Sequence, residues 1–143
     1  EGIPLVGGGT ETHLMIMDLS SFGFGLGGQV SYAMDVAGIY ANRNTVPTEP
    51  SSPFYPSGVR LGTPLVTSRG MKEKEMKKIG KWIAQVVRHV QKYELPQDKK
   101  LRSKFLKEFR AEADQDLKLL EIAQQVKAMC KKFPLFAEEG PHA

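Results

Sequence analysis

Apolar positions change their period along this chain. Residues 13–19, His-Leu-Met-Ile-Met-Asp-Leu, are short and apolar on both faces, which predicts a buried strand. Val30, Ala33, Met34 and Ala37 recur at helical spacing, so a short helix is predicted over 29–37 with Gly38 as its stop. Residues 39–46 predict a second short strand. Residues 59–67 predict a third, split by Gly62 and Pro64, where the proline suggests an edge or a break. Beyond residue 70 the pattern is helical. Met76, Ile79, Ile83, Val86, Val87 and Val90 form a stripe that predicts a helix over 72–93, ended by Leu95-Pro96. Two more helices are predicted over 97–109 and 112–132. In the last, Leu119, Ala123, Val126, Cys130 and Phe133 line one side, and Pro134 stops it. Residues 137–143 read as a disordered tail. Short strands followed by helices argue for an α+β domain, a small sheet covered by helices on one face.

One segment has no period at all. Residues 42–70 carry five prolines, three glycines and three arginines. Proline fixes φ and glycine permits positive φ, so such a stretch holds a set shape without regular structure. Two Ser-Pro-type turns flank the aromatic pair Phe54-Tyr55, and a Ser-Gly turn delivers Arg60 to the mouth of a short apolar strand. Arg60 is expected there in a partly buried position. A rigid loop around a placed arginine is where binding sites tend to be built. A guanidinium presents a planar fork that matches a carboxylate bidentately and stays charged when partly buried.

The motifs GGTETHLMIMDL (8–19), ANRNTVP (41–47), SSPFYPSGVRLGTP (51–64) and TSRGMKEKEM (67–76) form a recognisable set. In this order and spacing they resemble the C-terminal domain of serine hydroxymethyltransferases, pyridoxal-phosphate enzymes of the fold-type I class. The resemblance covers about residues 3–136 and implies one small domain over 1–136. It implies that Arg60, following Ser57-Gly58-Val59, takes the α-carboxylate of the amino-acid substrate. It also implies that Asn44, Ser52, Pro53 and Phe54 contact tetrahydrofolate. An amide has both donors and an acceptor, which suits the mixed edge of a pterin. The implied cofactor is pyridoxal 5′-phosphate, held mainly by a large N-terminal domain that supplies the Schiff-base lysine. Nothing here resembles the cofactor-lysine segment, so no catalytic residue is expected in this chain, and the chain alone is expected to be inactive. The implied partners are that large domain, serine or glycine, tetrahydrofolate, and further copies in a homodimer or tetramer.

Bulk properties narrow the rest. At 143 residues the chain is long enough for one domain with a real core. No apolar run approaches the roughly 20 residues of a membrane-spanning helix, and no signal peptide is read at the N-terminus. The single cysteine, Cys130, excludes an internal disulfide and fits a reducing, cytoplasmic setting; within an apolar helical pattern it reads as a small packing residue. The net charge of +4 comes with lysines interleaved with acids at helical spacing, the pattern of a solvated face. Nucleic-acid binding is therefore not the expected role. A non-catalytic module using the basic helices is the competing reading. What separates the two is whether Arg60 and Ser52 face open space or are consumed inside the domain.

Other motifs carry less. Residues 23–28, Gly-Phe-Gly-Leu-Gly-Gly, satisfy G-x-G-x-x-G between a strand and a helix. A dinucleotide site also needs an acidic ribose ligand at a strand end, and Glu49, near the right spacing, lies in the proline-rich loop instead. His13, His89 and His142 are scattered and have no partners at metal-ligand spacing, so no metal site is expected. Trp82 reads as a helix-packing anchor.

Overall fold

The computed structural model describes residues 1–135. The tail expected at 137–143, and His142 with it, lie outside the described residues. Three strands form one antiparallel sheet: β1 (Leu14–Asp18), β2 (Asn42–Asn44) and β3 (Gly58–Gly62), with β3 in the centre. Met17, Val59 and Arg43 are paired across the sheet, as are Ile16, Arg60 and Asn42. Five helices follow the strands or interrupt them: α1 (Gly27–Val36), α2 (Pro64–Ser68), α3 (Glu73–Val90), α4 (Lys99–Ala113) and α5 (Leu117–Lys132). The architecture is α+β, with the helices on one face of the sheet, as the pattern predicted.

The layers follow from α1. Val30, Ala33, Met34 and Ala37 are all fully buried, because α1 packs on β2 and β3 while α3, α4 and α5 pack on α1. Two alanines let the neighbouring helices come close, and the core of Met17, Leu19, Val59, Val86, Val87 and Phe109 closes around them. The helix ends where Gly38 takes φ +77°. There the Gly38 and Ile39 amides donate to the carbonyls of Asp35 and Met34, the paired hydrogen bonds of a Schellman stop.

Four expectations shift. The strand expected to run to residue 67 stops at Gly62, and Pro64–Ser68 is a short helix. Proline at the first helical position sets φ and has no amide to leave unpaired, so it starts a helix as readily as it breaks a strand. The later helices begin at Lys99 and Leu117, because Asp98 and Asp116 cap them by accepting the Lys100 amide and the Lys118 and Leu119 amides. The first strand is not buried on both faces: only Met17 within it is buried. Its free edge is partly covered by a bridge from Leu5 to Met17 and by the Asp18 amide donating to the Pro4 carbonyl. Trp82 does anchor helices: it is buried on α3 and donates from Nε1 to Gln125 Oε1 at 2.9 Å.

Candidate functional site

A strand's side chains alternate, and β3 sits between two partners, so its residues sort into two sets. Val59 goes to the helices and is fully buried. Arg60 goes to the opposite face, together with Ile16 and Asn42 beside it and Asp18 and Asn44 one step along. Apart from Gly58, no residue on this face is buried. Arg60 is therefore exposed, not partly buried in a loop as the sequence suggested. The alternation is the reason: the apolar neighbours Val59 and Leu61 take the core side, and the arginine takes the other. Its guanidinium has no hydrogen-bond or ion-pair partner among the described residues.

Asn44 lies on the same face, diagonal to Arg60, at the about 7–8 Å spacing of diagonal positions in an antiparallel pair. One amide hydrogen goes to the Thr45 carbonyl at 2.7 Å. Its Oδ1 accepts no hydrogen bond among the described residues. The sheet thus brings the predicted carboxylate ligand and one predicted pterin contact to one open surface.

Ser52, Pro53 and Phe54 form a tight turn closed by the Tyr55 amide on the Ser52 carbonyl at 3.0 Å. Proline in the second position presets that turn. Phe54 at its tip is 79% exposed, an unusual state for a phenyl ring, and the Ser52 hydroxyl has no partner among the described residues. Neither Arg60 nor Ser52 is consumed inside the domain.

What holds the loop was not apparent from the sequence. Glu49 accepts the Ser57 hydroxyl at 2.6 Å and the amides of Ser57 at 2.9 Å, Ser51 at 3.1 Å and Val46 at 3.3 Å. Burial alone would raise this carboxyl, but the Ser57 hydroxyl and the three amides outweigh it and hold it below the usual carboxylate range. A second support is Arg102, a buried arginine of α4. Its guanidinium lies over the rings of Tyr55 and Phe24, 5.0 and 5.6 Å from their centroids, and donates to the Pro96 carbonyl at 2.8 Å.

The glycine run is the third support. Gly27 starts α1 with its amide on the Pro56 carbonyl at 2.8 Å. A Cβ there would stand 2.4 Å from the Gly58 carbonyl oxygen and 2.5 Å from that of Pro56, so only glycine fits. The first amide of α1 is therefore turned to the proline loop, not to a phosphate. The Ser51 hydroxyl is buried in this loop without a hydrogen-bond partner among the described residues, and the packing gives no account of it.

Of the remaining candidates, two make contacts within the fold. His89 pairs with Asp116 at 2.6 Å, tying α3 to the start of α5, and His13 is exposed. Cys130 is half-buried on α5, and its carbonyl accepts from Arg69 at 2.8 Å. Among the described residues no cluster of three or more His, Cys, Asp or Glu side chains could hold a metal, and no helix is long and apolar enough to cross a membrane.

The α+β layer thus carries an arginine and an amide on its open sheet face. Residues 1–83 match the family model of serine hydroxymethyltransferase. A serine hydroxymethyltransferase of Methanospirillum hungatei is 55% identical over 87 residues, which covers 61% of this chain and 21% of that protein. One from Koribacter versatilis is 37% identical over 138 residues, 96% of this chain and 27% of that protein. The chain belongs to the serine hydroxymethyltransferase family. It spans about a quarter of the length of these relatives.

Proposed function

We propose that this chain is the C-terminal domain of a pyridoxal-phosphate-dependent serine hydroxymethyltransferase, which converts L-serine and tetrahydrofolate to glycine and 5,10-methylenetetrahydrofolate. The supporting observation is that Arg60 and Asn44 stand unburied on one face of the sheet; Phe54 of the Ser52–Phe54 turn lines a cleft with Tyr32, Arg43 and Arg110. Arg60 holds the amino-acid carboxylate bidentately. Asn44, with its unused Oδ1, reads the pterin edge. Ser52 and Pro53 shape the turn, and Phe54 covers the ring face.

In this reading the cofactor is held mainly by the large domain of the family. All lysines of this chain are exposed, whereas a Schiff-base lysine is activated by desolvation or by a neighbouring cation. The large domain of the family supplies that group and with it the carbanion-stabilising chemistry. The share of this chain is orientation: it fixes the amino acid by one end and the folate ring by its edge. In favourable cases such positioning supplies about 7 kcal/mol or more of barrier reduction. The parent works as a cytoplasmic homodimer or tetramer.

The test is reconstitution. This chain is combined with a cofactor-loaded large domain of the family, and serine-to-glycine conversion is assayed with tetrahydrofolate. Activity that Arg60→Ala removes is the expected result. A stable complex without activity would leave a structural relative, and no complex at all would favour the independent module.

A further inference from the structure

The geometry points to Glu49 as a positioning residue that sets both halves of the proposed site at once. The inference rests on the function proposed above. The three site segments each lie within three residues of a group that Glu49 holds. Asn44 is two residues before Val46, Ser52 directly follows Ser51, and Arg60 is three residues after Ser57. One carboxylate therefore sets the distances between the amide, the turn and the arginine.

The four donors require a carboxylate. Oε2 faces two amides, those of Val46 and Ser57, and Oε1 faces the Ser51 amide and the Ser57 hydroxyl. Only an acceptor on both oxygens satisfies all four. In Glu49→Gln the better amide orientation puts its NH2 beside the Ser57 hydroxyl, which can turn to accept, and the Ser51 amide is left facing another donor. The reverse orientation orphans two amides.

Ser57 passes this constraint into the sheet. It is fully buried, and its carbonyl accepts the Leu19 amide at 2.9 Å while its own amide and hydroxyl go to Glu49. The entry of β3 is thus clamped from both sides. The residue before Glu49 adds an independent sign. Thr48 has φ +57°, a left-handed conformation rare for a β-branched side chain. Such a conformation persists only where its surroundings over-determine it. The Val46–Glu49 bond spans it.

The experiment uses a full-length serine hydroxymethyltransferase carrying this chain as its C-terminal portion. Calorimetric titration with glycine and with tetrahydrofolate is done on wild type, Glu49→Gln, Glu49→Asp, Arg60→Ala and Trp82→Phe. Glu49→Gln is expected to weaken both ligands on the order of tenfold, the factor that one orphaned amide sets. Glu49→Asp keeps acceptors on both oxygens and should recover part of both affinities. Trp82→Phe loses the bond to Gln125 far from the loop, so it should lower the unfolding temperature and leave both affinities unchanged. Amide exchange at Ser51 and Ser57 should quicken in Glu49→Gln without any ligand present. Wild-type affinities in Glu49→Gln, or a loss for one ligand alone, would overturn the inference while an Arg60→Ala loss of glycine binding kept the proposed function standing. Unchanged glycine binding in Arg60→Ala would overturn both.

Discussion

The helical layer and the open sheet face treat polar side chains in opposite ways. In the helical layer the polar tips find one another. Trp82 meets Gln125, His89 meets Asp116, Tyr93 gives its hydroxyl to Glu112 at 2.7 Å, and Tyr32 gives its own to Asp114 at 2.8 Å. The bond to Glu112, with some burial, pushes the Tyr93 phenol up to about 12. On the sheet face Arg60 and the Asn44 oxygen have no such partners among the described residues, and neither has the Ser52 hydroxyl in its turn. Groups satisfied internally contribute to the fold. Groups left open, on a rigid support, are available to a ligand, and the support is where the remaining hydrogen bonds are concentrated.

That contrast is tested most strongly by a pair of truncations. Trp82→Ala removes a buried indole from between α3 and α5 and should cost about 3–5 kcal/mol in a denaturant titration, without touching the site's geometry in molecules that remain folded. Arg60→Ala should do the reverse. Stability should stay within about 0.5 kcal/mol, since an exposed, unpartnered side chain is lost. Binding of an amino-acid carboxylate in the assembled enzyme should fall by about 2–5 kcal/mol, the usual cost of deleting one partner of a desolvated charge pair. A stability loss in Arg60→Ala equal to that of Trp82→Ala would erase the distinction between the regions.

Gly27→Ala sits on the boundary. Its new methyl would meet two carbonyl oxygens of the proline loop, so either α1 or the loop must move. Overpacking of this kind costs about 1–3 kcal/mol. Stability and folate affinity should fall together, measured by thermal unfolding and by titration. A fall in stability alone would mean that α1 gives way and the loop does not.

The helical layer was more legible in the sequence than the site's surroundings, for a physical reason. A stripe such as Val30, Ala33, Met34 and Ala37 repeats with the helix, so periodicity alone identifies its buried face. The starts of α4 and α5 were expected earlier in the chain, because periodicity does not mark the point at which Asp98 and Asp116 cap them. Residues 64–68 misled because Leu-Val-Thr after a proline suits an edge strand and a first helical turn equally, and five residues are too few to show a period. Arg60 was recognisable by its motif. Its exposure depended on which face of β3 the helices cover, a fact fixed by residues far away in the chain. Glu49 left no local signal at all. Its partners lie up to eight residues off, and only the folded path of the prolines brings them to one carboxylate.

Asp116 is the helical counterpart of Glu49, and comparing them gives the smallest predicted effect. Both carboxylates accept backbone amides and one side-chain donor, but Asp116 joins α3 to α5 and faces no proposed ligand. Burial pushes its carboxyl up, yet the His89 bond and the Leu119 and Lys118 amides outweigh this and hold it below its ordinary value. A depressed carboxyl contributes stability that is fully present above its unfolded value, about 3.9, and is lost as the pH falls through the folded value. Asp116→Asn keeps an oxygen for the helix cap and removes the charge facing His89. The variant should be less stable than wild type by about 0.2–1 kcal/mol near pH 6, the range of a partly exposed ion pair, with both side chains about one quarter exposed. The gap should begin to narrow below about 3.9 and close once the pH has fallen through the lower folded value, where wild-type Asp116 loses its own charge. Urea titrations at pH 6 and pH 3 read this directly, and glycine affinity at neutral pH should be the same in both proteins. A gap that persists at low pH would place the loss in the cap, and a change in glycine affinity would show that the two regions are not as separate as their hydrogen bonds make them.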